Sequence, residues 1–189
     1  MKKKWYDYLW IWTIIYFALG FFNILFAWLG MIDFLVPLGF AIFGGNKYFC
    51  NSFCGRGQLL GKLGSKCSFK RPSPKWMSTK WFRYGFLAFF LAMFGNMIFQ
   101  TYLVGSGAET LKEGIVLFWT FNVPWSWVYS AGSVPAWIAK FSFGFYSLML
   151  TSTLIGIIVM VVFKPRTWCV FCPMGSMTQG ICKLKNRER

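Results

Sequence analysis

Six cysteines stand in two similar groups, and thiols so grouped either bind a soft metal or exchange disulfides. Cys50, Cys54 and Cys67 lie in "YFCNSFCGRGQLLGKLGSKC", and Cys169, Cys172 and Cys182 lie in "TWCVFCPMGSMTQGIC". The first group reads aromatic-Cys-x3-Cys-x2-Gly, with a third cysteine thirteen residues after the second. The other reads aromatic-Cys-x2-Cys-x2-Gly, with its third cysteine ten residues on. Because the chain has no histidine, a histidine-ligated haem, a CxxCH attachment site, a two-cysteine, two-histidine zinc finger and a Rieske centre are excluded. Thiolate softness leaves zinc or an iron–sulfur cluster ahead of calcium or magnesium. Zinc ribbons pair two CxxC knuckles in a soluble loop, whereas Cys172 followed by Pro173 is closer to the Cys-Pro end of a ferredoxin run. Gly57 and Gly175 suit the same chemistry, since backbone without a side chain can approach a cluster and turn N–H groups toward sulfide. A thiolate-ligated cluster is anionic, and Arg56, Lys62, Lys66, Arg166, Lys183 and Lys185 lie near enough in sequence to offset it.

The elements that must carry these loops are membrane spans. The chain is 57% hydrophobic and only 13% charged, against roughly 25% charged in soluble domains. A helix rising about 1.5 Å per residue needs about 20 apolar residues to cross the hydrocarbon. Four stretches approach that: near 8 to 29, 33 to 46 (short, tilted or partly re-entrant), 81 to 104 and 141 to 163. "LGMIDFLVP", with Asp33 and Pro37, is the expected break in the first pair, and Pro165 stops the last. "MKKK" before the first run lacks a following cleavage site, so that run is expected to be retained as a span.

All but Lys112 and Lys140 of the 20 basic residues fall before the first span, between the second and third, or after the fourth. The positive-inside rule then places both termini and the middle loop in the cytoplasm of a plasma-membrane protein. The tip at Asp33 and residues 105 to 139 face outward. This distribution explains the net charge of +15 as topology, with no nucleic-acid partner. All six cysteines then face the reducing side, where metal or redox chemistry is favoured over structural disulfides.

The repeated loops predict a tandem duplication of hairpin plus cysteine loop: residues 1–80, then 81–189 with an outer Trp-rich insertion at 105–139. "FNILF" around Asn23 and "GNMIF" around Asn96 echo one another. The expected fold is all-α and integral to the membrane, with four transmembrane helices in two tandem hairpins, each followed by a cytoplasmic cysteine loop.

Two hairpins ending in aromatic-Cys-x2/3-Cys loops resemble the membrane iron–sulfur proteins of the NapH and NosR type, which carry paired CxxxCP motifs. The resemblance covers about residues 8 to 185. It implies membrane-bound electron transfer between a cytoplasmic or quinol donor and a redox partner, and marks Cys50, Cys54, Cys169 and Cys172. Gly55 stands where that family has proline, the second loop has two residues between its cysteines, and no soluble ferredoxin domain follows. A ferredoxin-like or flavoprotein partner subunit, membrane lipid and quinone are the partners this implies.

Six cysteines cannot fill two clusters needing four ligands each. One [4Fe-4S] cluster shared by Cys50, Cys54, Cys169 and Cys172 and two clusters with three cysteines apiece both remain open, the repeated third cysteine favouring the latter. Asn23, Asn96, Gln100 and the hydroxyls of "TSTLIG" are expected to hydrogen-bond between helices. Trp119, Trp125, Trp127 and Trp137 are expected in short interfacial pieces broken by Pro124 and Pro135. No mid-membrane Asp, Glu or His forms a proton relay, and no nucleotide fingerprint or acid–base pair marks a complete enzyme. The reading is an electron-transfer subunit of an oxidoreductase system. A membrane thiol-disulfide oxidoreductase and a zinc-stabilised membrane scaffold are the alternatives.

Overall fold

A computed structural model describes residues 5–44, 49–108, 110–111, 114–117, 121–124 and 134–187. The chain is mostly helical: α1 Leu9–Phe22, α2 Leu29–Gly44, α3 Gly55–Cys67, α4 Lys80–Gly105, α5 Ala136–Val162, α6 Trp168–Phe171 and α7 Pro173–Arg187. Short 3-10 turns precede α1, α2 and α4, and a π turn, Phe49–Phe53, precedes α3. Three helical stretches are long and apolar enough to cross a membrane: Ile24–Gly44, α4 and α5. The apolar helix Tyr6–Phe22 is shorter, about 25 Å at the α-helical rise.

The first hairpin turns ten residues earlier than "LGMIDFLVP" predicts. Asn23 ends α1 through its N–H to Leu19 O (2.9 Å), and its side-chain oxygen accepts the Leu25 N–H at 3.0 Å, so Asn23 caps locally instead of bonding to a neighbouring helix. Asp33 and Pro37 therefore lie inside α2, and Asp33 is not the hairpin tip. Pro37 removes one N–H and frees only the carbonyl four residues back, a loss that apolar spans tolerate. Asp33 Oδ1 instead accepts Trp12 Nε1–H at 3.2 Å.

A second correction concerns the all-α expectation. Gly114–Leu117 (β1) and Phe121–Pro124 (β2) form an antiparallel pair with Ile115 opposite Val123. Their β-branched and aromatic residues suit a half-buried strand: Ile115 is buried, and Val116 O accepts the Ser147 hydroxyl. Trp119, Trp125 and Trp127 lie outside the described residues. The buried hydroxyls of Ser152 and Thr153 bond back to Met149 O of their own helix, at 2.9 and 2.8 Å.

The residues group into two compact units, 1–14, 33–90 and 154–189 in one and 15–32 and 91–153 in the other. In the second unit Tyr146 fixes α1 against α5. Its hydroxyl donates to Phe17 O at 2.9 Å, and its ring occupies the space a side chain at Gly20 would need. In the first unit Leu60, Met77, Val159, Met160, Trp168 and Phe171 form the core, with Phe82 and Phe86 packed on it. The Phe86 ring meets Phe171 edge-on at 5.3 Å. Here the two sequence repeats are joined. Phe69 N–H donates to Val161 O at 2.9 Å, Ser68 Oγ donates to Phe163 O, and Arg71 bridges Phe163 in parallel.

Candidate metal centre

That seam brings the two cysteine loops together. In the first loop the π turn carries Cys50 and closes with Cys54 N–H on Phe49 O at 3.0 Å. Cys54 then leaves the turn in extended conformation and caps α3, its Sγ accepting the Gly57 N–H at 3.4 Å. In the second loop α6 carries Cys169, and Cys172 ends α6 at the entry to α7. The Cys172 sulfur accepts backbone N–H groups of Gly175 and Met174. The shared Cys-x2-Gly pattern thus has one physical meaning in both repeats: the cysteine sulfur caps the helix that follows, and the glycine amide three residues on is its donor.

The sulfurs of Cys54 and Cys169 each lie 3.6 Å from the position a Cβ on buried Gly57 would take. Cys50 Sγ reaches across to Thr178 Oγ1 on α7 at 3.7 Å. The four thiols of Cys50, Cys54, Cys169 and Cys172 accordingly feel one another's charge. Burial first, then the neighbouring Cys172 sulfur, pushes the Cys54 thiol up to about 11. Cys169 is exposed as a residue, but its sulfur lies against Gly57. That local burial, with Cys54 and Cys172 next, pushes its thiol up to about 12. Burial also raises Cys172, against the pull of its two amide donors and of Arg56. Arg56 lowers Cys54 as well, and Arg166 lowers Cys169. These shifts run opposite to the depressed thiol that a disulfide-exchange nucleophile requires.

The third cysteine of each repeat is placed elsewhere. Cys67 is exposed at the last residue of α3, about 18 Å along the helix from its first residue. Cys182 is buried on α7, about 14 Å beyond the helix start. Of the basic residues, Lys185 donates to Ile42 O and Phe43 O at 2.6 and 2.9 Å, closing the C-terminal end of α2. Lys62 lies over the Trp10 ring at 4.2 Å.

Gly55, the position where proline stands in the resembling family, has a steric cause. A Cβ there would come within 2.6 Å of both Leu9 O and Thr13 Oγ1 on α1. The second loop carries Pro173 at the corresponding position, as the first residue of α7, where proline suits the start of a helix. Thr178 was not legible as a site residue, because its partner lies 128 residues away.

Four thiols from two loops, with amide donors aimed at two of them and no bulk at Gly57, fit an iron–sulfur cluster. Among the described residues, no group of three or more His, Cys, Asp or Glu is gathered as a single metal ion would need. No curated protein and no solved structure matches the chain. Residues 26–74 and 147–189, just under half of the chain, match the family described as 4Fe-4S binding domain, and this supports an iron–sulfur protein with a cluster of the 4Fe-4S kind, read in two repeats.

Proposed function

We propose that the protein is a four-span membrane electron-transfer subunit in which Cys50, Cys54, Cys169 and Cys172 hold one [4Fe-4S] cluster shared between the two repeats. The observation that carries this reading is the position of Gly57, with the Cys54 sulfur of one repeat and the Cys169 sulfur of the other at 3.6 Å from its Cβ direction. A bound cluster would supply one-electron transfer. The chain's own contribution is to fix two thiols at helix starts, to direct the Gly57, Gly175 and Met174 amides at sulfur, and to set Arg56 and Arg166 where they offset negative charge. The hairpin–loop duplication, with halves at 1–80 and 81–189, accounts for the matching donor pattern in both loops.

The distribution of basic residues supports cytoplasmic termini and a cytoplasmic nest in the plasma membrane. Electrons then enter and leave through quinone or a companion ferredoxin-like or flavoprotein subunit, since the outer side is about 30 Å of hydrocarbon away. Iron and acid-labile sulfide analysis of anaerobically purified protein tests the reading. About four irons and four sulfides per chain, with visible thiolate-to-iron absorption, are expected. Zinc with no visible absorption would instead indicate the scaffold alternative.

A further inference from the structure

Beside α3 a half-open groove encloses about 570 Å³. Asp7, Tyr8, Gln58, Lys62, Ser65 and Arg166 line it. Arg166 holds a left-handed backbone, φ 65°, that a residue with a side chain rarely adopts. Its Nε stands only 3.1 Å from the Cβ position of Gly61, so the guanidinium occupies space that a side chain on α3 would take. One residue on, the Lys62 ammonium is steadied over Trp10. Gln58 Nε2 donates to Tyr6 O and Ser52 O, both at 2.8 Å. These two carbonyls fix the amide orientation, and Gln58 Oε1 is left buried with no donor among the described residues. Two cations on one wall call for a ligand with an anionic group. The single acid on the wall, Asp7, is outnumbered.

The position of the groove identifies the source of such a ligand. Tyr8 immediately precedes apolar α1, and Pro165 on the opposite wall follows the end of α5 by three residues. Both are helix ends, where headgroups lie if those helices span a bilayer. Basic pockets there bind anionic lipid.

We propose that this groove binds the headgroup of an anionic phospholipid, with Lys62 and Arg166 on the phosphodiester. The proposal rests on the membrane reading above, and because Arg166 also acts on Cys169, Lys62 carries the arm of the test that leaves the cysteine nest untouched. Native mass spectrometry of the full chain in neutral detergent tests it, with phosphatidylglycerol and phosphatidylcholine supplied in equal amounts. Wild-type protein is expected to retain phosphatidylglycerol preferentially. Lys62→Glu and Arg166→Ala should each cut the preference about fivefold or more, while Lys62→Arg keeps it. Matching helical circular dichroism shows that the variants are folded. Equal retention of the two lipids by wild type, or an unchanged preference in both charge variants, overturns the proposal. Displacement of the lipid by millimolar glycerol phosphate would overturn it too, because the ligand would then be a soluble anion. None of these readouts depends on iron, so loss of the cluster reading would leave them intact.

Discussion

At the scale of single residues, the nest sorts the six cysteines into two classes. Cys50→Ser, Cys54→Ser, Cys169→Ser and Cys172→Ser should each lower iron content and bleach the visible absorption. Cys67→Ser and Cys182→Ser should keep wild-type iron, because helical rise carries those side chains away from the helix starts. Full iron in any of the first four, or its loss in both of the others, would point to a different ligand set. The raised thiols carry a pH signature in the cluster-free protein. An unfolded thiol titrates near 9.0, whereas Cys54 and Cys169 are pushed up to about 11 and about 12 by burial. The folded state therefore holds its protons longer, and cluster-free protein should lose stability as pH rises from 9.0 towards 11 to 12, with no such loss below 9.0. Denaturant midpoints measured from pH 8 to about 11 check the sign. At pH 8, alkylation should reach exposed Cys67 well before Cys54.

At the scale of elements, α3 is the piece whose placement matters most. Its first residue touches α1, its first turn donates to the Cys54 sulfur, and its last turns are tied to the end of α5. Gly55→Ala drives a Cβ to within 2.6 Å of the Leu9 carbonyl, where backbone has little room to yield. A stability loss of about 1–3 kcal/mol is expected, read as a lower thermal midpoint. Gly57→Ala is a useful contrast. Its Cβ meets the two sulfurs at 3.6 Å, an ordinary contact, so the protein should keep its helicity and thermal midpoint. The methyl group nevertheless stands between thiols of the two repeats, and iron content should fall by half or more. An unchanged iron content in folded Gly57→Ala would mean that the cluster does not occupy that space.

At the scale of the whole molecule, the expected topology can be read directly. Reporter fusions at Arg71 and at the C-terminus should both report cytoplasm, and an outward signal at either would remove the four-span arrangement. Purified chain in sealed vesicles, given an impermeant donor at the cysteine face and an acceptor confined to the other side, should transfer few electrons until quinone or a partner subunit is added. Rapid transfer without either would require a redox centre on the outer side.

Much of this was legible in the residues themselves. Apolar run lengths mark helices of membrane length, because hydrocarbon thickness and helical rise are constants of the materials. Thiol softness and the missing histidine narrow the metal chemistry before any fold is known, and Cys-x2-Gly encodes a local sulfur–amide contact that needs only its own turn. Other features depend on contacts between distant segments. Asn23 rather than Asp33 turns the first hairpin, since a side-chain cap and a tolerated proline decide between two plausible breaks. The segment before α5 pairs as two strands, and Val116 O in it accepts a hydroxyl from Ser147, a contact that spans 31 residues. Counting cysteines favours three per loop, whereas the proposed shared cluster leaves out Cys67 and Cys182, which helical rise carries away from the starts of α3 and α7. Packing of residues 68–71, Leu60 and Gly64 against the end of α5 brings Cys54 and Cys169 to the same glycine, a meeting of residues over a hundred positions apart that no local pattern can specify.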